Sequence, residues 1–171
     1  MTTLTFGQAA FGLREVKLTS YDGSGAVSMP AAMLLHVAPR IAAAEFSAEG
    51  VLIGASGVLA GADWELEAGA ISLAVLAKLT GESTVAAGST PNQTLTLTAD
   101  AGVEFPYVRI YGRAKGEGTG GIYCKMYRCK LTAIEGTFRQ GEFFVTSAAG
   151  VAVSNSSGVF EFVQRETDAA L

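Results

Sequence analysis

Two acidic residues, Glu65 and Glu67, are the first candidates for chemistry in this chain. They alternate within the run Asp63-Trp64-Glu65-Leu66-Glu67, which has the periodicity of a β-strand, so both side chains are expected on one face. A pair of carboxylates is what a glycosidase uses for acid, base or nucleophile chemistry. Because no matching aromatic groove for a sugar accompanies the pair, the pattern favours a solvated acidic face over a carboxylate-dependent hydrolase.

Three other motifs also point to structure and not to chemistry. The only histidine, His36, lies in an apolar run with no orienting partner in sight, which favours a core or interface histidine. The glycines of Gly116–Gly121 match G-x-G-x-x-G, but a predicted strand and not a helix follows them, so they predict a hairpin tip. Cys124 and Cys129 are five apart on that strand, which places them on opposite faces as structural thiols. We therefore expect no catalytic, cofactor or metal site, and we expect that the protein is not an enzyme.

A single helical pattern, at about 70–80, interrupts a chain whose other patterns are those of strands. Its apolar residues recur at i, i+4 and i+8, and Gly81 follows where a left-handed C-terminal cap is wanted. Lys78 lies in the last turn, where a cation suits the helix dipole. The residues expected to pack this helix on a sheet are Trp64, Ile71, Val75, Leu76 and Leu79.

The rest of the chain predicts a mainly β fold, a β-sandwich or split barrel with one flanking helix, in a single domain spanning 1–171. We expect a loop at about 20–30, a long hairpin at about 40–61 and a short loose tail from Thr167 to Leu171. A strand at 33–37 should stop at Pro39, and 81–92 should be irregular. Further strands are predicted at 13–19, 63–67, 94–98, 107–115, 122–132, 142–148 and 158–164.

Composition argues for a surface that other copies cover. The chain has 171 residues, a net charge of −4, 21 glycines and only 16% charged residues, a poor recipe for a solitary monomer. Arg109, Arg113 and Lys115 alternate on one predicted strand, which leaves open a basic stripe, a solvated face or salt bridges between subunits. No apolar run reaches the roughly 18 residues of a membrane-spanning helix, and the start of the chain predicts no signal peptide.

The sequence resembles the major tail tube protein of long-tailed, non-contractile (siphovirus-type) bacteriophages. The resemblance rests on three pieces and covers roughly residues 60 to 167. The first piece is the acidic Trp-bearing strand that leads through Glu67-Ala-Gly-Ala-Ile into the lone helix. The second is the strand pair Pro106-Tyr-Val-Arg-Ile-Tyr-Gly-Arg-Ala and Tyr123-Cys-Lys-Met-Tyr-Arg-Cys-Lys-Leu. The third is made of the C-terminal blocks Gly136-Thr-Phe-Arg-Gln-Gly-Glu-Phe-Phe-Val-Thr and Gly158-Val-Phe-Glu-Phe-Val-Gln-Arg-Glu-Thr.

The resemblance implies a structural virion protein with no catalytic residues. Copies would close into hexameric rings, and the rings would stack into a helical tube that conducts the genome without binding DNA specifically. Its partners would be further copies, a tape-measure protein and tail-tip or terminator proteins, with assembly in the host cytoplasm and no membrane. The alternative setting for such a subunit is a tail-derived particle, for example a gene transfer agent.

Physical reasoning places two surfaces within that expectation. A conduit must not grip DNA, so an acidic lumen is wanted, and the hypothetical lining is Glu45, Glu49, Glu65 and Glu67. A Gly-rich loop that orders on assembly would connect the rings; its residues are Tyr21, Asp22, Gly23, Ser24 and Gly25.

Two alternatives from other classes stay open at this point. One is a small-molecule-binding β-barrel, which needs an apolar cavity with convergent polar groups; these would come from Tyr107, Tyr111, Tyr123 and Tyr127. The other is the hydrolase that uses Glu65 and Glu67.

Overall fold

The computed structural model describes residues 10–48, 51–70, 72–116, 120–137, 140, 145–167 and 169–171. These residues form ten strands and one helix. In chain order they are β1 (Ala10–Ser20), β2 (Val27–Ser28), β3 (Ala32–Ala48), β4 (Val51–Ala68), α1 (Leu73–Thr80), β5 (Thr84–Ala87), β6 (Thr94–Leu97), β7 (Val108–Gly116), β8 (Gly121–Thr137), β9 (Val145–Ala152) and β10 (Phe160–Arg165).

One long strand, β8, joins two halves of the main sheet. The strand order is β2-β1-β7-β8-β9-β4-β3, with β10 also paired to β8, and β5 and β6 form a separate hairpin. The first part of β8 pairs with β7 and with β10, whereas its second part pairs with β9. The first half of the sheet is therefore β10, β8, β7, β1 and β2, and the second half is β8, β9, β4 and β3.

The inner faces of the two halves pack against each other. Leu35 of β3 lies over Gly112 of β7 so closely that a Cβ at Gly112 would be 2.1 Å from Leu35 Cδ2. Because the inner faces meet, the two outer faces point away from each other. This confirms the predicted fold class, a mainly β sandwich with one helix. The largest fully buried side chains are Trp64, Tyr123, Leu18, Leu66, Leu79, Ile110, Met126, Val16, Val108 and Cys129.

The helix confirms its predicted position and its C-terminal end, but it begins at Leu73, three residues later than predicted. Ser72 caps the N-terminus by accepting a hydrogen bond from the Val75 amide, and Gly81 ends the helix in the left-handed region with φ of 80°. Val75 and Leu79 are buried, as predicted, and Leu76 is half-buried. Ile71, also assigned to this packing, lies outside the described residues. Trp64, the fifth of that set, is buried with its ring against the backbone of β9.

Three strand predictions differ from the structure. Strand β3 runs through Pro39, which pairs with Ala62, because β3 is an edge strand and can accommodate a residue that has no N–H to donate. The hairpin expected at 40–61 is only the outer part of a longer ribbon, because β3 begins at Ala32 and β4 ends at Ala68. Strand β5 lies in the segment that was expected to be irregular.

The interpretation that Cys124 and Cys129 lie on opposite faces is wrong, since both thiols are free and in the core. Val108 pairs with Cys129 and Ile110 with Met126, so two steps along β7 match three along β8. This bulge inserts one extra residue and returns both cysteines to the inner face. Burial raises the pKa of Cys124 to about 11, which suits inert structural thiols.

Gly150 of β9 provides a test of the core. A Cβ at Gly150 would lie 2.1 Å from the Lys130 carbonyl oxygen and 2.5 Å from Trp64 Cζ2. We expect Gly150→Ala to lower the free energy of unfolding by about 3 kcal/mol, since neither the backbone nor a buried indole can give way. Ser147→Ala, on the outer face of the same strand, should change it by less than about 0.5 kcal/mol. Urea unfolding measures both, and equal stabilities would contradict this packing.

Candidate functional site

The most unusual feature of the structure is a β-ribbon that extends beyond the sheet. We call residues 41–48 and 51–60 the arm. Within it β3 and β4 pair only with each other, from Ile41–Leu59 to Ala48–Val51, because the pairing of β4 with β9 begins at Ala62. No other described strand pairs with either outer edge of the arm. The arm thus has two open edges whose backbone N–H and C=O groups are available for a further strand.

Both faces of the arm are apolar and exposed. Ile41 and Leu59 share one face and are 67% and 46% exposed, while Phe46 and Val58 on the other face are 65% and 63% exposed. Among the described residues of the arm only Glu45 is charged. An isolated two-stranded hairpin is marginally stable in water, and an exposed apolar patch of this kind marks an association surface.

A second feature is a short acidic strip on the outer face of β4, β9 and β8. Glu67 of β4 and Glu135 of β8 lie on either side of Ser147 of β9, and Glu65 is two residues from Glu67 on the same face. The structure therefore brings together two of the four predicted lumen residues. Glu45 lies on the arm instead, and Glu49 lies outside the described residues. Sequence reasoning missed Glu135, because only the register of β8 with β9 puts it beside the others.

Two neighbours of the acidic strip have definite environments. Asp63, two residues before Glu65, forms an ion pair with Arg40 at 2.5 Å, and this hydrogen bond lowers the pKa of Asp63. His36 is the cross-strand neighbour of Glu65 and is exposed. Of the two predicted roles, a core or an interface histidine, the core role is therefore wrong, because His36 points outward from the edge strand while Leu35 and Val37 pack inward.

A third feature is a basic face on the other half of the sheet, formed by the outer sides of β1, β7, β8 and β10. One cross-strand row is Lys17, Tyr111, Lys125 and Glu161; the next is Glu15, Arg113, Tyr123 and Val163; a third pairs Lys115 with Gly121 and Gly121 with Arg165. With Arg109, this face holds six cations and two carboxylates in a chain whose net charge is −4. The outer face of the first half therefore carries an excess of positive charge, whereas on the outer face with the acidic strip the cations Arg40 and Lys130 are each paired with a carboxylate.

Residues 169–171 are bound to the middle of the basic face, so the described part of the predicted loose tail is docked. The Tyr123 hydroxyl is 2.6 Å from both the amide and the carbonyl oxygen of Ala169. The Leu171 amide donates to Glu15 at 3.3 Å, and Lys17 donates to the Leu171 carbonyl. We call residues 169–171 the strap. The strap and the Arg165 guanidinium, which lies 4.5 Å from the Tyr123 ring centroid, cover Tyr123. Tyr123 is therefore only 1% exposed although it lies on an outer face.

The loop proposed to connect rings, Tyr21 to Gly25, is a defined turn between β1 and β2. Asp22 accepts hydrogen bonds from the amide and the hydroxyl of Ser24, at 2.8 and 2.7 Å. Arg109 donates to the Tyr21 carbonyl at 2.7 Å, and Arg128 lies 5.8 Å from the Tyr21 ring centroid. A single copy therefore supplies this turn with its own hydrogen bonds, and Tyr21, 42% exposed, remains available at the surface.

An apolar opening lies between β3 and the first half of the sheet, and none of the four candidate tyrosines lines it. This cavity has a volume of about 300 Å³. Tyr111 and Tyr123 face outward instead, and Tyr127 donates to Glu161, which raises the pKa of Tyr127 to about 12. These tyrosines therefore do not converge on this cavity; Tyr111 and Tyr123 line a shallow recess of about 290 Å³ on the outer face instead. The cavity is lined by Leu13, Leu35, Val37, Gly112, Arg113, Ala114, Ile122, Cys124 and Phe162.

Within the described ranges, no group of three or more His, Cys, Asp or Glu residues could hold a metal ion. In the same part of the chain, no helix has the length and apolar character needed to cross a membrane. Comparison with known proteins finds no family model that matches the chain and no curated protein that matches it.

The strap offers a prediction about pH. Burial alone would raise the pKa of Glu15, but the Leu171 amide, Lys17 and Arg113 outweigh burial and lower it below 4.5. A carboxyl whose folded pKa is lowered stabilises the docked state above its unfolded pKa, and this contribution is lost as pH falls through the folded value. We expect the Leu171 amide chemical shift to move towards its random-coil value below about pH 4.5.

Glu15→Gln is the matched variant for this test. It should show the shifted Leu171 signal at neutral pH and no step on acidification, because an amide group keeps the shape of the carboxyl but not its charge. Glu82→Gln, on the segment after the helix, should behave as the wild type. A Leu171 signal that is identical in the wild type and in Glu15→Gln would contradict the role of Glu15.

Proposed function

We infer that this chain is a structural subunit that self-assembles into a hollow tube, as the tail tube subunits of long-tailed bacteriophages do. The observation that supports this most directly is the arm. It has open edges, two apolar faces and no packing partner among the described residues of its own copy. A ribbon of this kind is completed by a second copy, which gives it both hydrogen bonds and burial.

The form of the assembly follows from how the surfaces are arranged. The arm at one end of a copy does not resemble the body of the sandwich, so a contact between arm and body is heterologous. Heterologous contacts generate rings when the rotation closes and open filaments when it does not. A tube of stacked rings uses both kinds of contact, with hexameric rings as the expected closed unit.

The acidic strip suits the wall of a conduit for DNA. Glu65, Glu67 and Glu135 lie together on one outer face, while the excess of cations lies on the opposite half of the sandwich. If the acidic strip faces the bore, the phosphates of a passing duplex meet like charge and are not bound. We therefore propose that Glu65, Glu67 and Glu135 line the lumen, whereas Glu45 belongs to the arm.

Electron microscopy of the purified protein tests this function. We expect rings or tubes whose number grows with protein concentration, and the same subunit in virion tails or tail-like particles of the source. The double variant Phe46→Ser with Val58→Ser should remain monomeric, because it removes two apolar side chains that are 65% and 63% exposed in a single copy. Its thermal stability as a monomer should match that of the wild type.

Val85→Ser is the control for this double variant. Val85 is 64% exposed on the separate β5–β6 hairpin, so its replacement removes a similar apolar group away from the arm. It should assemble as the wild type does. A wild-type chain that remains monomeric at high concentration and occurs in no tube-like particle would overturn the proposal.

A further inference from the structure

We propose that the arm of one copy docks on the basic face of the next, with Glu45 as its charged anchor. This inference rests on the proposed function and names the surface that receives the arm. The candidate surfaces for such a contact are the acidic strip, the apolar cavity under β3 and the basic face. Charge distinguishes between these three candidate surfaces, because the arm is acidic and only the basic face is strongly positive.

The charges of the arm are all of one sign. Glu45 is its only charged residue in the described part, and Glu49 follows β3 in the sequence. The basic face has the opposite sign, with six cations against Glu15 and Glu161. Contact with this face therefore pairs unlike charges, whereas contact with the acidic strip would bring like charges together at a cost.

The shape of the arm also fits a flat sheet surface. Ile41, Leu59 and Glu45 share one face of the ribbon. On that face Gly57 has no side chain, and Ile41 lies over it, with its Cγ2 atom 3.4 Å from where a Cβ would be. The result is a flat apolar surface that ends in one carboxylate.

The basic face contains a recess for such a surface. A shallow cavity of about 290 Å³ lies in it. A cavity of roughly 150 Å³ already accommodates a benzene-sized group, so this recess has room for an aliphatic side chain such as Ile41 or Leu59. Cations at its rim lie within reach of a carboxylate on the same face of the arm. The recess is lined by Lys17, Thr19, Ala26, Tyr111, Tyr123, Lys125, Arg165, Ala170 and Leu171.

The arrangement leaves the acidic strip uncovered. The basic face and the acidic strip belong to outer faces that point away from each other, so an arm bound to the basic face does not cover Glu65, Glu67 or Glu135. One contact thus covers the face of the arm that carries Ile41, Leu59 and Glu45, and it leaves the carboxylates of the acidic strip free for the bore.

A charge exchange tests this contact. Glu45→Arg changes only the arm, and Lys115→Glu with Arg165→Glu changes only the basic face. Each set alone should raise the concentration needed for half-assembly by about tenfold or more, since like charges then meet. Combining the three substitutions in one chain should bring that concentration back to within about threefold of the wild-type value. Sedimentation velocity and electron microscopy give the readout, and circular dichroism checks that each variant folds.

Glu135→Arg is the matched control, because it makes the same change of charge on the acidic strip. Its half-assembly concentration should stay within about twofold of the wild-type value. The inference is overturned if Glu45→Arg assembles as the wild type does, if the combined variant is not restored, or if Glu135→Arg is impaired equally. In all these cases a wild-type chain that still forms tubes keeps the proposed function intact. A wild type that never assembles overturns both.

Discussion

The central constraint on this structure is that the ribbon formed by β3 and β4 extends beyond the sheet that supports it. As far as Ala62 the ribbon shares hydrogen bonds with β9 and covers the core; beyond it, the two strands have only each other. Backbone groups on open edges and apolar side chains on both faces are acceptable in a finished structure only when something covers them. The described part of a single copy offers no such cover, and in the proposed tube a neighbouring copy would supply it.

The long strand β8 determines what the rest of the surface can do. By pairing with β7 and β10 along its first part and with β9 along its second, it belongs to both halves of the sandwich. The outer faces of these halves consequently point in opposite directions and carry opposite charge. A subunit with an acidic side, a basic side and an apolar arm can make the same directional contact repeatedly, which is the requirement for a closed ring or a tube.

Local patterns in the sequence were sufficient to predict the elements whose structure is decided locally. The helix follows from its apolar spacing and from Gly81 at its C-terminal cap, and β7 follows from the alternation of inward Val108 and Ile110 with outward Tyr107 and Arg109. The mainly β class followed from many such strands. These features need no knowledge of which strand is next to which.

What could not be predicted depends on strand order and register. Pro39 looks like a strand end until β3 is known to be an edge, and Cys124 and Cys129 look opposed until the bulge in β8 is known. Glu135 joins Glu65 and Glu67 only through β9, and the docking of residues 169–171 on Tyr123 pairs residues 46 apart in sequence. The acidic pair and the basic strand can be recognised in the sequence, but their placement on two opposed faces requires the topology.

Hydrogen exchange in the arm tests the central claim most directly. The amides at 41–48 and 55–60 should exchange quickly in dilute monomer and become protected, by at least about a hundredfold, in assembled protein. The amides of β7 and β9 within the sandwich should be protected equally in both states. Protection of the arm that is the same at every concentration, or an arm that still exchanges quickly in assembled protein, would contradict the account.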